Sequence, residues 1–452
     1  MSEALLRIGC AAGFSGDRTD VAEPVVDALL AAGGPAFLVF ETLAERTLAL
    51  SQLARRADPA GGYEPLLDDM LGPVLAKCLD GGIRIVGNFG AANPRGAAER
   101  IAVLCREAGL RVPRIAVVSG DDLSGEAHRP LLHEALGEAV DPASLVSANA
   151  YIGAEPIADA LRAGAEIVVC GRIADPSLIV GPALAHFAWR RDDWLRLGRA
   201  TMIGHLLECG AQVSGGYYAD PGFKDVPGLE ALGYPIAEVD AEGHGTITKP
   251  PGRGGRIDVH TVAEQILYEV HDPAAYLTPD VVADITEARL AADGPDRVRV
   301  RGVLGHARPA LLKVSVCAEQ GWLAEGEISY AGPRAEARAR LAADVLRRRL
   351  AGLGPLRVDL IGTASVFGDD AGRWLAAREI GDARDVRLRV AMRHADRAAA
   401  ERLPREVTAL YTCGPAGGGG IRTALRPRLS TRSCFVPREA VPTRFAFLEE
   451  RS

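Results

Sequence analysis

The chain has 452 residues, 48% of them hydrophobic and 25% charged, the composition of an ordinary globular protein too long for a single core. Its net charge of -7, with no basic block, argues against a general nucleic-acid surface. The opening residues lack a basic start followed by a long apolar core, and no later run reaches 18 apolar residues, so neither export nor a membrane span is expected.

Residues 6–10 read as a strand, 21–32 as a helix, 36–40 as a strand and 41–56 as a helix. The strand signal returns at 83–86, 115–118 and 167–169, with helical segments such as 94–108 and 156–163 between. This alternation predicts an α/β fold, with a doubly wound, mainly parallel sheet in the N-terminal half. Right-handed crossovers then set the post-strand loops along one edge.

Those loops are polar. After the first strand come Asp17 and Arg18, after the second Glu41 and Glu45, after the third Asn88 and Asn93, and after the fourth Asp121. Asn149, Tyr151 and Gly153 precede the fifth, and Arg172 and Asp175 follow it. Loops converging on one edge of such a sheet describe a cleft for a polar ligand. Arg172 offers a planar fork for a carboxylate or phosphate and Asp175 a base or an orienting acceptor, although an ion pair pinning the loop needs the same two residues. Residues 13–16 make a poor phosphate cradle, because neither Gly-x-Gly-x-x-Gly nor a Gly-Lys-Ser/Thr ending is present.

Residues 194–207 read as a helix that ends at Gly210, so His205 and Glu208 share one face with Cys209 one step round. Acid, base and nucleophile chemistry thus gather between Gly204 and Gly210, and Gly215 and Gly216 permit a close backbone approach. The plainer alternative is a buried helix with a satisfied His–Glu pair and a small core cysteine. The eight cysteines are dispersed without short pair spacings, which fits a reducing cytoplasm, and among them Cys170 and Cys209 touch polar clusters.

Turn residues dominate 220–279, and the loop 248–255 carries Lys249 and Arg253 as an anion-binding lid. Residues 262–270 read as a helix. Beyond 294, strands at 298–303, 311–317, 322–330, 356–361 and 386–392, with a helix at 334–351, predict a C-terminal α+β layer. The run 413–420 is too glycine-rich for regular structure, and its amides could close over a ligand. The expected organisation is an α/β domain over 1–219, a loop-rich connection with its lid over 220–293, and an α+β domain with a glycine-rich tail over 294–452.

The order of these blocks resembles the acyclic terpene utilisation AtuA-like family. The matching blocks are residues 12–18, Asn88 with Asn93 and Pro94, Gly171–Arg172 with Asp175, 204–210 with 214–216, Thr248–Lys249, Glu264–Gln265 with Tyr268–Glu269, 272–280, and the late glycine-rich run. The resemblance implies carboxylate or acyl-thioester substrates and lyase or hydratase chemistry in a catabolic setting, without identifying the reaction. Members are commonly accompanied by a small domain of roughly a hundred residues, fused or separately encoded. A chain ending at Ser452 is expected to lack a fused copy, so a small protein partner is implied.

The leading expectation is a cytoplasmic enzyme, a homo-oligomer, acting as a lyase or hydratase beside the carbonyl of a small carboxylate or acyl-CoA thioester. His205 and Glu208 would be base and acid, with Asp17 and Asp175 orienting. Arg172 and Lys249 would hold the carboxylate or thioester oxygen, and Arg18, Asn88, Asn93, Gly215 and Gly216 would complete the binding set. No cofactor is assigned; a divalent metal held by Asp17, Glu41 and His205 is a lesser reading, suited to magnesium or manganese. The alternatives are a non-catalytic ligand-binding or scaffold subunit of an enzyme complex, and a Cys209-dependent thioester hydrolase or acyl transferase with His205 as its base.

Overall fold

The computed structural model describes residues 5–138 and 141–449. The chain forms two compact units, one of the residues up to Cys317 with those from Thr431 on, the other of Ala318–Ser430. The boundaries drawn at residues 219 and 293 from composition both fall inside the first unit.

The first unit is built on a ten-stranded sheet. In chain order its early strands are β1 (Leu6–Cys10), β2 (Ala36–Phe40), β3 (Arg84–Gly87) and β4 (Ile115–Ser119); β5 (Leu145–Ala150) stands off the sheet and β6 (Ile167–Val169) belongs to it. Strands β1, β2, β3, β6 and β4 lie side by side and run parallel. Strand β2 is buried at every position, as a strand covered on both faces must be. Alternate side chains divide between two cores: Phe37 and Val39 join Ile157, Leu178 and Leu197, while Leu38 and Phe40 join Val25, Leu29 and Ile101. Helices therefore cover both faces, and the α/β class follows from the sheet itself.

The next strands are β7 (Ile236–Val239), β8 (Gly245–Thr248), β9 (Tyr276–Leu277), β10 (Val282–Asp284), β11 (Arg289–Ala292), β12 (Val298–Arg301) and β13 (Leu304–His306). Antiparallel β7, β8, β12 and β11 extend the sheet beyond β1, and β9, β10 and β13 form a small antiparallel sheet. The turn-rich stretch 220–279 therefore contains β7, β8 and β9, which its glycines and prolines conceal.

The remaining strands are β14 (Leu311–Ala331), β15 (Leu356–Ile361), β16 (Asp385–His394), β17 (Gly418–Pro437) and β18 (Arg444–Phe447), the last pairing antiparallel with β4. Within the second unit the order is β15-β16-β14-β17, and Ala324, Ile328 and Tyr330 of β14 share a core with Leu346 and Leu410 of helices Ala335–Arg349 and Arg402–Cys413.

Four local expectations need correction. The helix after β2 runs Glu45–Ala57, because the Glu41 carboxylate accepts from the Leu43 amide at 2.7 Å and turns the chain away from helix. The helix expected at 262–270 is Val259–Leu267, started by Asp258, whose side chain accepts from the His260 and Thr261 amides. The two strands expected at 311–317 and 322–330 are one, β14. The run 413–420 is not irregular throughout, since β17 begins at Gly418, where a Cβ would lie 2.8 Å from Cδ1 of Ile328 and glycine lets the strand pass without shifting that side chain. Among the described residues no helix is long and apolar enough to cross a membrane.

Candidate active site

The loops after β1, β2 and β6, together with the end of helix Trp194–Glu208, enclose a cavity of about 1180 Å³. Its wall carries Asp17, Glu41, Glu45, Arg172, Asp175, Glu208, Cys209 and Glu269, with Tyr151, Tyr234, Tyr268 and Tyr276. Phe14, Tyr217, Leu277 and Phe435 also line it while staying largely exposed, Tyr217 at 90%. Gly13 brings the first loop against the helix end: a Cβ there would lie 2.5 Å from the Cys209 and Gly210 backbones. Glu269 and Tyr217 both take positive φ, 58° and 61°, a conformation that costs a non-glycine residue of order 1 kcal/mol or more. Two such residues on one cavity wall show where the fold tolerates strain.

His205 and Glu208 are coupled behind and at this wall. The His205 ring is buried, and its Nε2 lies 3.0 Å from the Gln265 carbonyl oxygen, an acceptor only. Nε2 must therefore carry the hydrogen, which leaves Nδ1 as an acceptor in the neutral ring. Glu208 Oε1, 2.9 Å from Nδ1, supplies the proton. Burial lowers the His205 pKa to about 4, and burial with the nearby charges of Asp175 and Glu269 lifts Glu208 well above the carboxylate range. Geometry and electrostatics agree on a neutral imidazole paired with a neutral carboxylic acid. The second oxygen, Glu208 Oε2, is buried without a hydrogen-bond partner. An unsatisfied buried acceptor of this kind costs about 1–3 kcal/mol until a ligand or water meets it.

A second network anchors the opposite loops. Glu41 Oε1 accepts from Asn88 Nδ2 at 2.9 Å, and Asn88 Oδ1 accepts from the Thr42 amide at 2.7 Å. Asn88, expected as a substrate donor, is fully buried, supports Glu41 and is not among the residues that line the cavity. Arg172 donates through Nη1 to Leu43 O and through Nε to Ile173 O, both at 2.9 Å, and through Nη2 to Ile173 O and Asp175. Its guanidinium lies 4.4 Å from the Tyr151 ring centroid. The fork expected to bind a substrate anion is thus occupied by protein acceptors. Its backbone amide donates to Asp121, which burial raises to about 6. Burial also raises Glu41 and Asp175, with Arg172 opposing in both cases.

Asp17 sits in the wall, where Oδ2 accepts from Gly13 N at 2.8 Å and Oδ1 from the Tyr234 hydroxyl at 2.5 Å. Arg18 turns away to the carbonyls of Leu229 and Glu230. Asn93 caps helix Pro94–Glu107 by accepting from Gly96 N. Lys249 is buried, donating to Arg253 O at 2.7 Å and pairing with Asp296 at 3.0 Å; neither it nor Arg253 lines the cavity, so the expected lid is a tied loop. Gly216 reaches the wall, whereas Gly215, at φ 100°, packs against Val226.

Cys209 lines the cavity, but burial pushes its thiol upward in pKa, away from the thiolate, and both ring nitrogens of His205 are engaged elsewhere. The His205–Cys209 nucleophile pair is not formed. Among the described residues no group of three or more His, Cys, Asp or Glu is placed to share a metal ion, so Asp17, Glu41 and His205 do not assemble as ligands. Sequence reasoning assigned no role to Tyr234 or Lys313, nor to Tyr276 within the block 272–280. Lys313 binds Glu45 at 3.1 Å and Tyr151 donates to the same oxygen at 2.6 Å; against the effect of burial, these bonds lower Glu45 to about 2. The spacing of lone tyrosines carried no signal for such contacts.

The model of a family described as acyclic terpene utilisation family protein AtuA matches residues 6–447. No curated protein and no solved structure matches the chain.

Proposed function

The chain belongs to the acyclic terpene utilisation family AtuA, and on that premise we propose that it is a catabolic enzyme that moves a proton beside the carbonyl of a small carboxylate or acyl thioester, in a lyase or hydratase reaction. The observation that carries this reading is the shared proton of Glu208 and His205, in which Glu208 is a residue of the cavity wall and its Oε2 is buried without a partner. In the forward step Oε2 takes the proton from the carbon next to the carbonyl as Oε1 passes its own proton to His205 Nδ1. Glu208 ends neutral and His205 charged, still donating through Nε2 to Gln265 O. The Asp175 and Glu269 carboxylates favour that charged imidazole. The reverse transfer returns a proton to carbon or to a departing hydroxyl. A positioned acid–base group of this kind contributes about a hundred- to ten-thousand-fold in rate.

Branched acyl thioesters, saturated and α,β-unsaturated, are the substrates to try first, because the exposed Phe14, Tyr217, Leu277 and Phe435 offer apolar surface beside the polar wall. Incubation in heavy water, followed by mass spectrometry, should show deuterium at the carbon beside the carbonyl, or addition of water to the double bond. Both should vanish in Glu208→Gln. Wild-type protein that neither exchanges nor hydrates any thioester or carboxylate of this class would contradict the reading.

A further inference from the structure

Tyrosines in the cavity wall differ in what their hydroxyls do. The Tyr151 hydroxyl donates to Glu45 at 2.6 Å and that of Tyr234 to Asp17 at 2.5 Å. Both are committed to a carboxylate. The Tyr276 hydroxyl contacts His205 Nδ1 at 3.5 Å, the outer limit of a hydrogen bond. That nitrogen has one lone pair, already served by Glu208 at 2.9 Å. Among the described residues Tyr276 therefore has no good acceptor for its phenolic proton, and it belongs to the wall of the same cavity.

Its position is fixed from two sides. The ring tilts against His205 with centroids 5.2 Å apart, and its backbone belongs to β9, paired antiparallel with β10. Glu208 Oε1 and the Tyr276 hydroxyl both lie within 3.5 Å of one nitrogen, so an acid–base group and a free donor converge on one point. The charge around them selects the ligand. Arg172 and Lys313, the cations of the lining, are already bound to Asp175 and Glu45, and Asp17 and Glu269 add further carboxyls. A wall with neutral donors and committed cations suits an uncharged carbonyl and disfavours a free carboxylate, whose enolate would carry two charges.

We propose that Tyr276 is a catalytic residue whose hydroxyl donates to the carbonyl oxygen of an acyl thioester and holds the enolate oxygen formed when Glu208 takes the adjacent proton. This rests on the proposed acid–base role of Glu208 and narrows the substrate from carboxylate or thioester to thioester. In the step the C–H bond breaks, its electron pair forms the C=C bond, and the carbonyl π pair moves to oxygen. The proton goes to Glu208 Oε2, and the Oε1 proton goes to His205. Tyr276 keeps its own proton and strengthens its hydrogen bond as charge grows on oxygen.

Two measurements test it. The first labels tyrosine with ¹³C at the ζ carbon, with the Tyr276 resonance assigned by its loss in Tyr276→Phe, and titrates wild-type protein with an acyl thioester analogue in which methylene replaces sulfur. The Tyr276 signal should move with this ketone, which has no C–S bond to cleave, and stay in place with the corresponding free acid. The second follows deuterium exchange into the thioester by Tyr276→Phe, expected to be slower by about a hundredfold or more with KM within a few-fold and an unchanged melting temperature. A ketone that moves the other cavity tyrosines but not Tyr276, or that moves none, overturns the proposal, as does exchange at the wild-type rate in Tyr276→Phe. A Tyr276 signal that responds to the ketone in protein that exchanges no proton supports the carbonyl contact and overturns the proton-transfer role of Glu208 instead.

Discussion

Replacing Glu208 with Gln isolates the consequence of burying a protonated carboxyl. The amide has the shape of the neutral acid, and its nitrogen can donate to His205 Nδ1 where Oε1–H does now, at 2.9 Å in the native pair. The fold should survive. The difference appears with pH. Glu208 has a folded-state pKa well above its ordinary 4.5, so its contribution to stability is complete below 4.5 and is lost as pH rises toward the folded value. Through that interval the unfolded chain releases a proton that the folded chain keeps, at roughly 1.4 kcal/mol per pH unit. As pH rises above 4.5 the wild type should therefore lose stability relative to Glu208→Gln until the folded-state carboxyl itself ionises. Glu41, Asp121 and Asp175 also have raised pKa values, but they are present in both proteins and largely cancel in the comparison. His205, lowered to about 4, contributes the opposite slope, with stability gained as pH rises from 4 to 6.5, and it too is common to both. Urea midpoints for the two proteins across this range give the difference directly. Parallel pH profiles would mean that Glu208 is ionised in the folded state, and the shared-proton argument would fall.

Other substitutions separate support from chemistry. Arg172→Lys cannot reproduce the bonds to Leu43, Ile173 and Asp175 or the stacking on Tyr151, and should destabilise by about 3–5 kcal/mol, seen as a fall in melting temperature that precedes any loss of turnover per folded molecule. Asn88→Ala leaves the Thr42 amide unpaired in the interior and should cost about 1–3 kcal/mol of stability, with KM unchanged in the folded fraction. Cys209→Ala should retain turnover within a few-fold, because the thiol has neither a base nor a lowered pKa; complete loss in a well-folded variant would restore the cysteine mechanism.

The central sheet was legible because burial on both faces demands short, mainly apolar runs: residues 6–10, interrupted by Arg7, and the unbroken 36–40 and 167–169 have the bounds expected of them. Strands β7, β8 and the start of β17 were hidden by glycine and proline, which mark turns in most contexts but here allow close packing, as Gly418 does over Ile328. The candidate cavity was legible in outline, since the loops bearing Asp17, Glu41, Arg172 and Asp175 and the helix end bearing Glu208 and Cys209 all line it. What periodicity could not show was depth. Asn88 and Lys249 read as polar loop residues, yet each is buried and spends its hydrogen bonds on the protein. His205 stands behind Glu208, a distinction that helix spacing cannot make, and Tyr276 acquires its place through β9–β10 pairing far along the chain.

The most direct test of the account is the protonation state of Glu208 at neutral pH. An infrared difference spectrum between wild type and Glu208→Gln reads it without substrate, because a carboxylic acid and a carboxylate absorb in separate regions. The shared proton with His205 predicts a protonated carbonyl band in the wild type, shifted in heavy water and absent from the variant. A difference spectrum showing only carboxylate bands would contradict it, and with it the proposal that Glu208 and His205 move a proton as one unit.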